Sequence, residues 1–390
     1  MKHNRTYCLA QMLTTFFVIS CTEPFNLKSI DFEDTLIIEA IITDEVKHQE
    51  IKLSRTFSLE EFTPSKENNA QVMITDDNQN TFEFEETSTG VYTSKTAFGA
   101  SPNSAYTLTV ITNNGKTYKS QPTKAPNTVP INSLYASVEI DKDTGNENIS
   151  IYIDGFNGSS SSKYFRYEYE ETYKILASSW VAGEFIVSST GQLSWGELCC
   201  RPPEKRVCYN TVASDSIIQL KVENTSLGNP SAFPVRVIHR DNPVIRTRYS
   251  ILVKQYAQSL EAFTFYKTLN KFSSSEDVFS QNQPGFFNGN LFSVENSKEK
   301  VVGYFDISSV STERIFFNFS DFFPNEPLPP YFEDCTIFQI NDISKLTESV
   351  INNKVVFHSL VPDQLPNVVN ASCGDCTKIG TTTKPDFWVD

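Results

Sequence analysis

The chain has 390 residues, enough for two or three domains of about 150 residues each. Acidic side chains outnumber basic ones by 47 to 33, for a formal charge of −14. That balance argues against a nucleic-acid partner, which needs a basic face to displace counterions, and against electrostatic adhesion to anionic lipid.

Residues 1–20 read as a secretory signal peptide. Lys2 and Arg5 make a positive head, and the apolar run that ends in Phe16-Phe17-Val18-Ile19 is too short for a permanent membrane helix. The junction Val18-Ile19-Ser20-Cys21 resembles the bacterial lipobox. That resemblance implies cleavage before Cys21 and acylation of Cys21, with residues 21–33 as a lipidated tether. Loss of Lys2 and Arg5 takes the formal charge from −14 to −16, so acyl chains rather than surface charge would hold the protein at a membrane. No later segment is apolar for long enough to be a transmembrane helix.

Strand patterns begin at 36–42, a β-branched apolar run, and continue at 50–54, 72–75, 81–85, 90–92, 106–110 and 117–119. Asp76-Asp77-Asn78-Gln79-Asn80 supplies a polar turn between the third and fourth, with Phe82 and Phe84 beyond it on one face. Short strands at this spacing predict an immunoglobulin-like β-sandwich over 34–124. Pro122, Pro126 and Pro130 stop ladders and helices alike, which places a domain boundary there. A larger β-rich domain is expected over 131–390, divisible into a sandwich at 131–257 and an extension at 258–390. Its strands fall at 133–140, 149–154, 163–173, 216–222, 235–240, 247–255, 301–305 and 314–317. The 163–173 strand alternates Phe165, Tyr167, Tyr169 and Tyr173 with Arg166, Glu168, Glu170 and Thr172, the pattern of a half-buried antiparallel strand. One clear helix is predicted at 259–272. Ser259 is its N-cap, Glu261 complements the dipole, and Leu260, Phe263, Tyr266 and Leu269 form an apolar stripe that reads as core packing. The stretch 178–210 reads as a stapled insertion or long loop, and the tail from Phe332 as Pro-rich and polar.

Of eight Cys, Cys8 leaves with the signal and Cys21 takes lipid. The other six, Cys199, Cys200, Cys208, Cys335, Cys373 and Cys376, form an even set in an exported chain and read as disulfides. Adjacent cysteines rarely bridge each other, so Cys199 and Cys200 are expected to take separate partners. Cys208 is assigned to one of them, and Cys335 to the C-terminal pair. Cys373-x-x-Cys376 lacks the second pair that a zinc site wants and the strand-to-helix setting of a redox motif, which leaves a structural staple.

Several stretches together resemble a family of Bacteroidota outer-membrane lipoproteins catalogued as domain of unknown function 4249. They are Leu53-Ser54-Arg55-Thr56, Arg248 to Gln255, Glu261-Ala262-Phe263-Thr264-Phe265-Tyr266, Gln283-Pro284 through Gly289-Asn290, Val302-Gly303-Tyr304-Phe305, and Cys373 to Cys376 with Lys384-Pro385-Asp386-Phe387-Trp388. The resemblance implies a mostly β lipoprotein of the outer membrane, often encoded beside TonB-dependent receptors. It carries no catalytic residues to this chain. Asp34-Thr35-Leu36 and Asp215-Ser216-Ile217 resemble the O-glycosylation sequon of the same phylum, which makes Thr35 and Ser216 candidates.

Catalytic constellations are sparse. His48, His239 and His358 stand far apart with no paired ligand spacing, and there is no P-loop or G-x-S-x-G. Ser160 and Lys163 match S-x-x-K inside a Ser-rich turn, a chance match. Asp141 to Glu147 faintly echoes a calcium loop but reads better as a solvated hairpin turn. No cofactor or metal is expected. Trp180 and Trp195, in the Cys-rich insertion, either pack on the disulfides or form an exposed platform for a sugar or protein. The leading expectation is a non-catalytic accessory or ligand-capture subunit of a TonB-dependent uptake system, with the receptor as partner. The alternative is a free-standing glycan-binding or adhesion lipoprotein.

Overall fold

The structure is a computed structural model that describes residues 34–56, 65–154, 162–196, 200–222, 232–273 and 289–390. The expected signal peptide, Cys21, the tether, Ser160, Cys199 and the Gln283-Pro284 turn lie outside the described residues.

Alternating patterns become strands as expected. The first group is β1 (Leu36–Thr43), β2 (Glu50–Arg55), β3 (Gln71–Asp76), β4 (Thr81–Ser88), β5 (Val91–Ser94), β6 (Ala105–Ile111), β7 (Thr117–Ser120) and β8 (Thr123–Lys124). In β1, Leu36, Ile38, Ala40 and Ile42 point inward, as a two-residue period requires. These strands wrap one core that contains Ile51, Leu53, Ile74, Tyr92, Leu108 and Tyr118.

A second group follows: β9 (Ser133–Ile140), β10 (Glu147–Asp154), β11 (Tyr164–Leu176), β12 (Glu184–Val187), β13 (Leu193–Gly196), β14 (Val207–Ala213), β15 (Ile218–Lys221), β16 (Phe233–His239) and β17 (Tyr249–Gln258). Helix α1 (Leu260–Ser273) comes next, then β18 (Leu291–Ser293) and β19 (Val301–Phe317). The chain closes with α2 (Phe319–Phe322), β20 (Phe338–Gln339), α3 (Ile343–Ile351), β21 (Val355–Ser359), β22 (Asn367–Asn370) and α4 (Ala371–Gly374). The fold is mostly β: among the described residues 46% are strand and 13% helical.

One hydrogen-bonded sheet joins both groups in the order β14-β11-β17-β19-β1-β2-β5-β4-β3-β6-β7-β18. Its hinge is β19. Val301 to Ser308 run parallel to β1, and Ser309 to Phe317 run antiparallel to β17. Two separate strands were predicted over this stretch; the intervening Asp306 to Glu313 continue the ladder because both flanking strands offer it partners. Leu291, Val301, Phe305 and Ile307 therefore belong to the first core. A separate sheet, β16-β10-β9, closes the second core through Ile149, Ile151, Val235 and Ile238.

One further expectation needs correction, and two stretches carry structure that the sequence pattern left open. Strand β11 is not half-exposed: Arg166, Glu171 and Thr172 are buried along with Tyr167, Tyr169 and Tyr173, because α1 lies over Tyr164 and Arg166 while β16 meets Tyr167 and Glu171 on the other face. The insertion carries a hairpin, β12-β13. The tail is folded: Asp342 caps α3 by accepting from Ser344 and Lys345 N–H, and β20-β22-β21 packs beside it on Leu346, Val355 and Val368.

Candidate functional site: a groove beside helix α1

Helix α1 starts where the sequence predicts. The Ser259 Oγ accepts the Ala262 N–H at 3.1 Å, and Glu261 occupies the first turn. Its apolar stripe docks on the sheet: the Phe263 ring lies 5.1 Å from Tyr164, and the Phe265 ring 5.1 Å from Tyr304. Leu260, at the helix start, is half-exposed instead.

Opposite the helix, two glycines allow backbones to touch. Gly303 has φ +123°, and a Cβ there would lie 2.0 Å from the Ile38 carbonyl oxygen. A Cβ on Gly289 would lie 1.8 Å from the Gly303 oxygen. Asn290 then imitates a strand residue with its side chain. Its Oδ1 accepts the Phe305 N–H at 2.8 Å, and its Nδ2 donates to the Phe305 carbonyl at 2.9 Å and to Thr123 Oγ1 at 3.1 Å. Between helix and seam lies a groove of about 870 Å³ whose lining includes Gln121, Lys124, Glu261, Thr264, Asn290 and Tyr304. Three sequence stretches of the resemblance, around Glu261, Asn290 and Tyr304, thus meet at one place.

Beneath the helix is a buried polar cluster. Asp306 on β19 is fully buried; its Oδ2 accepts from Gln258 Nε2 at 2.7 Å and from Ser308 Oγ at 3.0 Å, while its Oδ1 is unbonded. Gln258 Oε1 is also unbonded. Arg166 on β11 donates through Nη1 to Glu168, and its guanidinium lies 4.4 Å from the Tyr256 ring centre and 5.1 Å from that of Tyr266. Its Nε and Nη2 are unbonded. Burial pushes the Asp306 carboxyl up, against the opposing pull of Arg166 and the bonds from Gln258 and Ser308. Sequence reading missed this cluster. The available signal was an ionisable residue inside an apolar run, Tyr304-Phe305-Asp306-Ile307, which a sheet covered on both faces must bury.

The residues singled out from sequence are scattered. Cys208 joins Cys376, not Cys199 or Cys200, because β14 runs beside the segment that follows α4 and brings the two Cα atoms to 5.6 Å. Cys335 joins Cys373, within the C-terminal pair as expected. Cys200 is disulfide-bonded. Trp180 packs against the second core with its indole Nε1 buried and unbonded. Trp195 meets Phe185 edge-on at 6.3 Å. Thr35 is 6% exposed, whereas Ser216 is exposed. In the Asp141 turn, Asp141 Oδ1 accepts the Asp143 and Thr144 N–H groups, and Glu147 pairs with Arg240. His48, His239 and His358 bond locally to Ser94, Asp241 and Ser359. Among the described residues, no group of three or more His, Cys, Asp or Glu is placed to hold a metal. Nor is any described helix long and apolar enough to cross a membrane.

Residues 22–314 match the model of a family described as domain of unknown function 4249. The chain belongs to that family. The match takes in the groove, α1 and most of β19, and stops short of the C-terminal disulfides and Trp388. None of the curated proteins compared with the chain matches it.

Proposed function

We propose that this member of the family is a lipid-anchored outer-membrane protein of a Bacteroidota cell, acting without catalysis as an accessory or ligand-capture subunit of a TonB-dependent uptake system. The observation that carries the reading is Val18-Ile19-Ser20-Cys21, a lipobox-like junction at the end of a signal-like segment, with the first strand starting at Leu36. Acyl chains on Cys21 would hold the molecule at the membrane, since one chain alone anchors weakly and several anchor firmly.

The groove beside α1 supports binding over chemistry. Asn290, Thr123 and Ser259 already make structural hydrogen bonds there, and its two charged side chains, Lys124 and Glu261, are exposed. An acid–base pair would need carboxyl or imidazole groups placed together over a reacting atom.

The test is a mild-detergent pull-down of a C-terminally tagged full-length chain from native membranes, with Cys21→Ser as control. Co-purification of a stoichiometric TonB-dependent barrel with the acylated wild type is expected. Recovery of the protein alone after cross-linking would sink the uptake reading and favour a free-standing glycan-binding or adhesion role.

A further inference from the structure

At the end of β11 and β17 lies a cleft of about 390 Å³, lined by Lys174, Arg246, Arg248, Asn318, Ser320 and Asp390 among others. Its charge runs against that of the molecule. Lys174, Arg246 and Arg248 gather around the side-chain carboxylate of Asp390 in a chain whose formal charge is −14. The local fold explains their convergence. Lys174 N–H donates to the Arg248 carbonyl at 3.1 Å, which sets the two side chains side by side across neighbouring strands.

The Asp390 side-chain carboxylate is already engaged. Asp390 Oδ1 accepts from Lys174 Nζ at 3.0 Å, and Oδ2 from Lys384 Nζ at 2.7 Å. Lys384 and Lys174 together hold the Asp390 carboxyl well below the usual range. Among the described residues, neither arginine pairs with a side-chain carboxylate. Arg246 Nη1 donates to the Pro329 carbonyl. Arg248 donates through Nε to the Val389 carbonyl and, at 3.5 Å, through Nη1 to Asn318 Oδ1. The nearby Asp321 turns back onto Asn318, whose N–H it accepts at 2.7 Å. Guanidinium groups recognise carboxylates through two parallel N–H bonds, and both forks keep N–H groups beyond those they use here. The Asp390 side chain is 55% exposed, so its carboxylate can swing away while Trp388 stays buried.

We propose that this cleft is a binding site for a polycarboxylate ligand, with Asp390 standing in for one of the ligand's carboxylates on Lys174 and two further negative charges met by Arg246 and Arg248. The cleft volume falls at the lower end of ligand sites, which run from about 300 to 1,000 Å³. The assignment deepens the ligand-capture reading and rests on it for its purpose, though not for its chemistry. Two sources share that chemistry: a hydroxy-tricarboxylate and an acidic sugar chain.

The test is calorimetric titration of the full-length chain in detergent with citrate, with trigalacturonate and with neutral galactotriose. Saturable binding of one or both acidic probes is expected, weakening as salt is raised. Binding to citrate alone assigns a chelator-like acid, and binding to trigalacturonate alone assigns an acidic sugar. Arg246→Gln should weaken binding at least tenfold. Asp390→Asn should strengthen it severalfold by removing the internal competitor. Arg246→Gln leaves the Arg248 contact to the tail in place, so an unchanged thermal midpoint confirms that it folds. Failure of the Asp390→Asn protein to bind either acid, equal binding of the neutral trisaccharide, or indifference to Arg246→Gln would overturn the assignment. A chain that still captures the barrel but ignores both acids would refute this site and leave the uptake reading standing.

Discussion

The two cores differ in what they bury. The first is built from strands with one wet face. Its interior is aliphatic and tyrosine-rich, and its buried charge is Glu67, held by Arg55 at 2.5 Å. The second is covered on both faces of β11, β17 and β19, so alternate polar positions go inside as well. Glu171, Gln255, Ser250 and Asp306 are all buried there. Most have partners: Glu171 accepts from Tyr249 Oη at 2.8 Å and from Arg236 at 3.1 and 3.2 Å. A buried polar group without a partner costs stability, and a paired one fixes register. The first core thus rests mainly on apolar area, the second on apolar area plus a polar network and disulfides.

Substitutions can break that contrast in order of size. The largest effect is expected where the units join. Gly303→Ala must place a Cβ against the Ile38 carbonyl at a left-handed φ, which we expect to cost about 3 kcal/mol or more. Thermal and chemical unfolding of the variant would measure it, and a midpoint close to wild type would show that the β1–β19 seam can yield. In the second unit alone, Trp388→Ala empties a site 5% exposed between Tyr209 and Phe316; a loss of about 3–5 kcal/mol is expected. Replacing Cys208 and Cys376 by Ala should cost about 2–5 kcal/mol. Removing Cys335–Cys373 should cost roughly 1 kcal/mol less, because its loop spans 38 residues against 168. Equal losses would mean that loop entropy is not the controlling factor.

Asp306→Asn sharpens the comparison in the opposite direction. A raised folded pKa means that the native state binds a proton that the unfolded chain has released, so stability falls as pH rises from the ordinary carboxylate range toward the folded value. An asparagine in the same place can accept from Gln258 Nε2 and donate to the now unbonded Gln258 Oε1. The variant should match or exceed wild-type stability at neutral pH and lose that part of the pH slope. A steep drop in stability would mean instead that Arg166 depends on an ionised Asp306. The smallest effect belongs to the wet face of the first unit: Lys95→Ala breaks an exposed pair with Glu83 and should leave the unfolding midpoint unchanged.

Legibility follows the same division. In the first unit buried apolar side chains alternate with more exposed positions along strands such as β1 and β6, so alternation located its strands; elsewhere, the Ser259 cap located α1. In the second unit polarity and exposure part company. Arg166, Glu168 and Glu170 read as one outward face, yet Arg166 is buried under Tyr266. The joining of 301–305 to 314–317 was hidden because Asp306, Ser308 and Ser309 interrupt the apolar pattern, and only neighbouring strands supply their partners. The groove was half legible. Its glycine and asparagine stretches stood out among those that carry the family resemblance, but their meeting across Gly303 and Phe305 depends on a contact between distant parts of the chain. The disulfide of Cys208 was misassigned because nearness in sequence is a poor guide to bridges across 168 residues.

The parallel pairing of β1 with β19 also sets how the molecule bears load. A pull on the chain ahead of Leu36 draws β1 toward its N-terminal end, while the second unit holds β19 from beyond Ser308. Because the two strands point the same way, that tension slides them past one another and strains the whole ladder from Leu36 to Thr43 at once, instead of peeling it bond by bond. Force applied at the N-terminal end therefore meets the seam between the two cores in its most resistant direction.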